Sequence, residues 1–125
     1  MLQNTLYLIK SIQKLENNDL FSTISINKDD RIFEGHFPGQ PVLPGVCLIN
    51  MITDVVSNSK KKTYYLKSAD TIKFLHLVEP SLFPTLIIQL RLISEISGII
   101  KAEATISSES LVFLKFKGNF EKLQT

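Results

Sequence analysis

A chain of 125 residues is the size of one domain and can bury a core without staples. Its 44% hydrophobic and 21% charged residues exclude a disordered chain, and a formal net charge of only +2 gives nucleic-acid binding no support. The single cysteine, Cys47, excludes a disulfide within the chain and fits a reducing compartment.

The first residues, MLQNTLYLIKSIQKLENN, lack the basic start, apolar stretch and small-residue cleavage site of a signal peptide. No run approaches the ~20 apolar residues of a membrane span. The expected location is therefore the cytoplasm. Leu6, Ile9, Ile12 and Leu15 recur at a spacing of three, which suits a helix. Yet Leu6-Tyr7-Leu8-Ile9 also starts a strand well, and Phe21, Thr23, Ile24 and Ile26 suit a second. With Asn17-Asn18-Asp19 as turn chemistry between them, the reading is a hairpin, and Asn27-Lys28-Asp29-Asp30 makes another turn.

From Gly35 to Gly45, three prolines and three glycines in eleven residues forbid a regular element. Val46 to about Asn58 holds neither and predicts a helix, with Pro44 suited to its first turn. On a helical wheel Leu48, Ile49, Met51, Ile52, Val55 and Val56 share one broad face. Cys47, Asn50, Thr53, Asp54 and Ser57 occupy the opposite arc. Strands are predicted at Thr63–Leu77, Leu86–Ser94, Ile99–Ser107 and Leu111–Asn119. Their separators are Glu79-Pro80-Ser81, Ser97-Gly98 and Ser108-Glu109-Ser110. Lys101, Glu103 and Thr105 alternate with Ile100, Ala102, Ala104 and Ile106, as on a half-buried antiparallel strand. Two strands, one long helix and four strands make a single α+β domain over residues 1–125.

The segment Phe33-Glu34-Gly35-His36-Phe37-Pro38-Gly39-Gln40-Pro41-Val42-Leu43-Pro44-Gly45-Val46 resembles the G-H-F-P-x-x-P-V-x-P-G signature of bacterial 3-hydroxyacyl-ACP dehydratases of fatty-acid synthesis. A weaker echo is Ile72-Lys73-Phe74-Leu75-His76-Leu77-Val78-Glu79-Pro80. There Leu77 stands where relatives often have proline, and Ser81 and Leu82 replace Gly and Asp. The resemblance implies a hotdog fold, an antiparallel sheet wrapped around one long helix. It implies a homodimer, or a higher assembly, with two sites at the seam. It also implies hydro-lyase chemistry without metal or cofactor on a 3-hydroxyacyl thioester carried by acyl carrier protein (ACP), in fatty-acid or polyene-type lipid synthesis.

Carried onto this chain, the resemblance makes His36 the base that removes the C2 proton. It assigns the backbone N–H groups of Gly45 and Val46 to the thioester oxygen, with Phe37, Pro44 and Phe74 completing the substrate-binding set. A helix N-terminus suits that oxygen on physical grounds too, since it offers unpaired donors and partial positive charge. Gly39 and Gly45 answer either a positive φ or a close backbone approach.

Asn50 departs from the pattern. It lies fourteen positions after His36, where the family places Glu or Asp. An amide cannot deliver a proton at neutral pH. Asp54, one turn on along the same arc, is the nearby carboxylate on the helix and the substitute acid, its alternative being a solvent-facing or capping role. Cys47 near the helix start is either a low-pKa thiol or a small packing residue, and packing is the commoner case.

Three functions follow. One is a dehydratase using His36 with Asp54 or a water. Another is a dehydratase subunit whose missing acid comes from a different chain. The last is a thioesterase with Asp54 activating water. Lys60, Lys61, Lys62 and Lys67 form a basic region that reads as solvated surface and would suit an acidic ACP.

Overall fold

The computed structural model describes residues 5–34 and 41–124. Strands β1 (Tyr7–Lys14) and β2 (Asp19–Ile26) form the hairpin. The helix alternative for Leu6–Leu15 gives way because β1 pairs antiparallel with β2, from Tyr7 opposite Ile26 to Lys14 opposite Leu20. A 3-10 turn, Glu16–Asn18, joins them, with Asn17 and Asn18 at φ 67° and 66°. Asparagine is among the few residues that take this left-handed conformation readily. After β2, the Asn27 side chain accepts from the Asp29 N–H at 3.1 Å and donates to the Thr5 carbonyl at 3.0 Å, and a 3-10 turn follows at Arg31–Glu34.

Helix α1 spans Gly45–Lys60, one residue earlier and two later than the sequence suggests. Lys61, at φ 56° and ψ 36°, ends it in the left-handed conformation, its N–H meeting the Asn58 and Ser57 carbonyls. Four strands follow: β3 (Tyr64–Phe74), β4 (Thr85–Ile96), β5 (Ile99–Ser108) and β6 (Leu111–Lys122). The tight turn between β4 and β5 uses Ser97 at φ 53° and Gly98 at φ 79°, which matches the twist of a hairpin. All pairs are antiparallel, and the sheet order is β1-β2-β4-β5-β6-β3. Strand β3 stops at Phe74, three residues short of expectation. Beyond it the Leu75 N–H still reaches the Phe113 carbonyl at 2.8 Å.

The sheet buries one face against α1. Ile24 of β2, Leu86, Ile88 and Leu90 of β4, Ile100, Ala102 and Ile106 of β5, and Leu114 and Phe120 of β6 share a core with Leu48, Met51, Ile52, Val55 and Val56 of α1. Each such side chain fully withdrawn from water contributes roughly 1.5–3 kcal/mol. Ser22, the buried polar side chain of β2, is satisfied by the Ser11 carbonyl at 2.8 Å. One helix held in the concave side of one antiparallel sheet is the α+β arrangement expected of a hotdog domain.

Strand β3 is an outer strand. Two register shifts interrupt its pairing with β6, between Leu66 and Ser68 and between Ala69 and Thr71, flanking the Ala69–Gly118 pair. At Gly118 a Cβ would lie 2.7 Å from the Ser68 carbonyl oxygen and 3.2 Å from the Ala69 Cα. The missing side chain is therefore what lets this bulged strand approach β6.

Candidate active site

The extended Pro41–Pro44 segment delivers the chain to α1, tied to the post-β3 loop by the Leu43 N–H to the Val78 carbonyl at 2.9 Å. Pro44, at φ −60° and ψ 142°, is the N-cap; no side chain caps the helix, and its first turn holds no acidic residue. The Cys47 N–H closes back on the Pro44 carbonyl at 3.0 Å. The amides of Gly45 and Val46 precede the first intrahelical bond, so they belong to the donors that a helix start leaves over. They carry the positive end of the helix dipole with no carboxylate in the first turn to offset it.

Phe74, the last residue of β3, lies over this helix start. A Cβ on Gly45 would stand 2.8 Å from its Cε1 and 2.9 Å from its Cζ. Of the two reasons offered for a glycine here, close approach is the one that holds, since Gly45 is not among the residues of positive φ. The structure thus brings Pro44, Gly45, Val46 and Phe74 together. Val46 is 70% exposed and Phe74 55% exposed, an apolar pair beside the first amides of the helix. His36, Phe37 and Gly39 lie outside the described residues. His76 follows β3 and is exposed.

Asn50 and Asp54 differ in setting. Asn50 is exposed on α1, whereas Asp54 is half-buried. Asp54 neither faces open solvent nor caps the helix with its side chain: its Oδ2 accepts a short hydrogen bond from the Tyr7 hydroxyl. Tyr7 comes from β1 and is only 2% exposed. Burial, and then the hydrogen bond and charge of Asp54, push the Tyr7 phenol far above its usual range. The Tyr7 phenol is the donor and the Asp54 carboxyl the acceptor in this pair.

In the sequence Tyr7 reads as a strand residue only. The available signal was a phenol on the inward side of an apolar strand, which requires a partner.

Cys47 corrects one expectation, its place on the polar arc, and bears out another, that it is a small packing residue. It is 1% exposed and packs in the core, not on the polar arc. Burial, with Asp30 as a lesser cause, raises its thiol pKa where a helix start alone would lower it. Of the four lysines, Lys60 pairs with Glu95 at 2.7 Å and Lys67 with Glu121 at 3.8 Å, while Lys61 and Lys62 are exposed. A cleft of about 580 Å³ crosses the far face of the sheet between Asp19, Arg91, Glu103 and Lys115, and no α1 residue lines it. Among the described residues no cluster of His, Cys, Asp or Glu could hold a metal, and no helix is long and apolar enough to cross a membrane.

The fold and the glycine-started helix define a hotdog protein, and comparison with known proteins makes the assignment narrower. A family model described as ApeI-like, ApeI dehydratase, matches residues 12–109. The chain belongs to this ApeI-like dehydratase family.

A 3-hydroxyacyl-[acyl-carrier-protein] dehydratase FabZ of Wolbachia pipientis wMel is 31% identical, the match covering 79% of this chain and 76% of that one. The FabZ of Lactobacillus helveticus is 30% identical over 70% of this chain and 64% of its own length, so the match takes in less than two thirds of that relative. Among solved structures, a chain of the dehydratase heterocomplex ApeI:P from Xenorhabdus doucetiae superposes with a TM-score of 0.68 at 17% identity, over 91% of this chain and 96% of that one. A hypothetical thioesterase protein of Streptococcus pneumoniae, solved with coenzyme A, gives a TM-score of 0.64 at 12% identity, over 95% and 87%. Both structural likenesses establish the shared fold.

Proposed function

We propose that this protein is a hydro-lyase that dehydrates a 3-hydroxyacyl thioester, delivered by acyl carrier protein, at the N-terminus of α1. The observation that carries the reading is the uncapped helix start at Gly45 and Val46, set beside apolar Phe74 and Val46. A thioester carbonyl placed there gains charge when C2 loses its proton, and preorganised amides stabilise that charge most as it develops.

His36 takes the C2 proton. The electron pair released forms the C2–C3 double bond as the C3–O bond breaks. The hydroxyl leaves as water with a proton from Asp54, or from a water that Asp54 holds. Support for His36 comes from its place in the G-H-F-P motif and from membership of a dehydratase family.

The active unit in this reading is a dimer. Among the described residues, strand β3 has β6 on one side and no strand on the other, and Ile72, Phe74, Leu75 and Leu77 stay exposed at its end. An outer strand with exposed apolar residues is an invitation to pairing, and a second copy would cover Phe74 and close the site. A cytoplasmic location fits a carrier-protein substrate. The test is turnover: His36→Ala should abolish formation of the 2-enoyl thioester, and unchanged turnover would discard the assignment.

Asn50 favours a second reading, in which a related chain supplies the acid. The ApeI:P neighbour is itself a heterocomplex. Here the purified chain would be inactive alone, and a homologue carrying Glu or Asp at this position would raise activity on mixing. Asn50→Glu should then restore turnover to the pure protein. Thioester hydrolysis is separated from both readings by release of free thiol.

A further inference from the structure

The dehydratase reading gives Asp54 a role but leaves a question of geometry. The carboxyl sits one turn beyond the position the family uses, ~6 Å along the helix axis. A short side chain so placed serves chemistry only if it is held still. Small displacements of a reacting group cost up to about 10²-fold in rate.

Tyr7 meets that need. It is anchored twice: its ring is 2% exposed within the core, and its strand is bonded to β2 along its length. The phenol of this rigid residue donates to Asp54 Oδ2. Cys47, on the same line of α1 two turns before Asp54, is buried in the same core. The surroundings of the phenol are thus apolar or weakly polar, and Asp54 is the partner that satisfies it.

We infer that Tyr7 is a positioning residue of the active site, fixing Asp54 through Oδ2 so that Oδ1 meets the substrate hydroxyl or a water. The inference rests on the dehydratase reading for its substrate. It goes beyond that reading by assigning function to β1, at the opposite edge of the sheet from β3 and its Phe74. Tyr7 touches no substrate and acts only through Asp54.

The experiment is a double-mutant cycle of Tyr7→Phe, Asp54→Asn and the double variant, reading kcat and KM for a 3-hydroxyacyl-ACP. It is joined to a carboxyl 13C NMR spectrum of protein labelled at its aspartates. Phenylalanine keeps the ring, so the core stays filled.

The expected result is that Tyr7→Phe lowers kcat by roughly 10–10²-fold with a smaller change in KM, and that it has no further effect in the Asp54→Asn background. In the spectrum, the Asp54 carboxyl signal, assigned by its loss in Asp54→Asn, moves more than any other when Tyr7 becomes Phe. An equal fall in kcat in both backgrounds, which a merely structural role produces, overturns the inference. So does a Tyr7→Phe variant as active as the parent, or an unmoved Asp54 signal. The spectrum needs no turnover. A parent inactive even with a homologue carrying Glu or Asp in place of Asn50, but with a shifted Asp54 signal, sinks the dehydratase reading alone, while the same inactivity with an unmoved signal sinks both.

Discussion

Phe74 rests on Gly45 so closely that a Cβ on the glycine would stand 2.8 Å from the ring. The contact joins the end of β3 to the start of α1, where the helix presents its first amides. Gly45→Ala should therefore disturb the site more than the fold. Phe74 is more than half exposed and can swing aside, and alanine favours a helix over glycine by up to about 1 kcal/mol. The melting temperature is expected to move little while kcat/KM falls. In a Phe74→Ala background the same change should cost less, because the ring it would strike is gone. Steady-state kinetics of the four proteins check this.

Gly118→Ala should behave in the opposite way. The atoms in its path are the Phe116 ring edge, 2.6 Å away, and the Ser68 carbonyl oxygen and Ala69 Cα, backbone that moves only if β3 moves. Overpacking of this kind costs about 1–3 kcal/mol. A thermal melt should show a fall of several degrees.

These two glycines also mark how far the sequence is legible. Runs rich in β-branched and aromatic residues between turn separators mark β4, β5 and β6 to within a few residues, and in β5 the alternation of apolar and polar residues reflects one buried face and one wet one. The wheel found Leu48, Met51, Ile52, Val55 and Val56 for the same reason. Its ends were less legible: Lys61 closes the helix by a left-handed turn that no glycine signals. In β1 the spacing of three suits a helix, yet the Asn17-Asn18-Asp19 turn reads the segment as a hairpin, and pairing with β2 bears that reading out. The unpatterned part was what depends on long-range approach. Nothing local in Gly118 reveals the bulged strand beside it, and nothing local in Asp54 reveals a phenol 47 positions earlier in the chain. The motif that carries His36 was plain as text, since proline and glycine positions are dictated by backbone geometry.

Cys47 should be a poor nucleophile. Its thiol is buried and pushed up from its usual pKa, so little thiolate forms near neutral pH and reagents cannot reach it. Labelling by a thiol-reactive disulfide is expected to be slow in the native protein and fast in denaturant. Cys47→Ala should retain His36-dependent turnover, at a modest cost in stability. Fast native labelling would show that the helix start is open enough to expose the thiol.

The Tyr7 phenol predicts how stability responds to alkali. Its pKa is raised in the fold, first by burial and then by Asp54. A raised folded pKa means that the stabilisation is fully present below the unfolded value, about 10 for tyrosine, and is lost as pH rises above it. The parent protein should lose stability above about pH 10 more steeply than Tyr7→Phe, which lacks the ionisable group. Denaturant melts of both proteins through that range measure the difference. Parallel slopes would mean that the phenol ionises as easily folded as unfolded.

The most direct test of the account is a dehydration assay on the purified chain, with short and medium 3-hydroxyacyl-ACP substrates, run beside its His36→Ala variant. The account predicts that the parent forms the 2-enoyl thioester and releases water, and that the variant does not. Equal product from both proteins, or none from the parent even when a homologue with Glu or Asp in place of Asn50 is added, would contradict it.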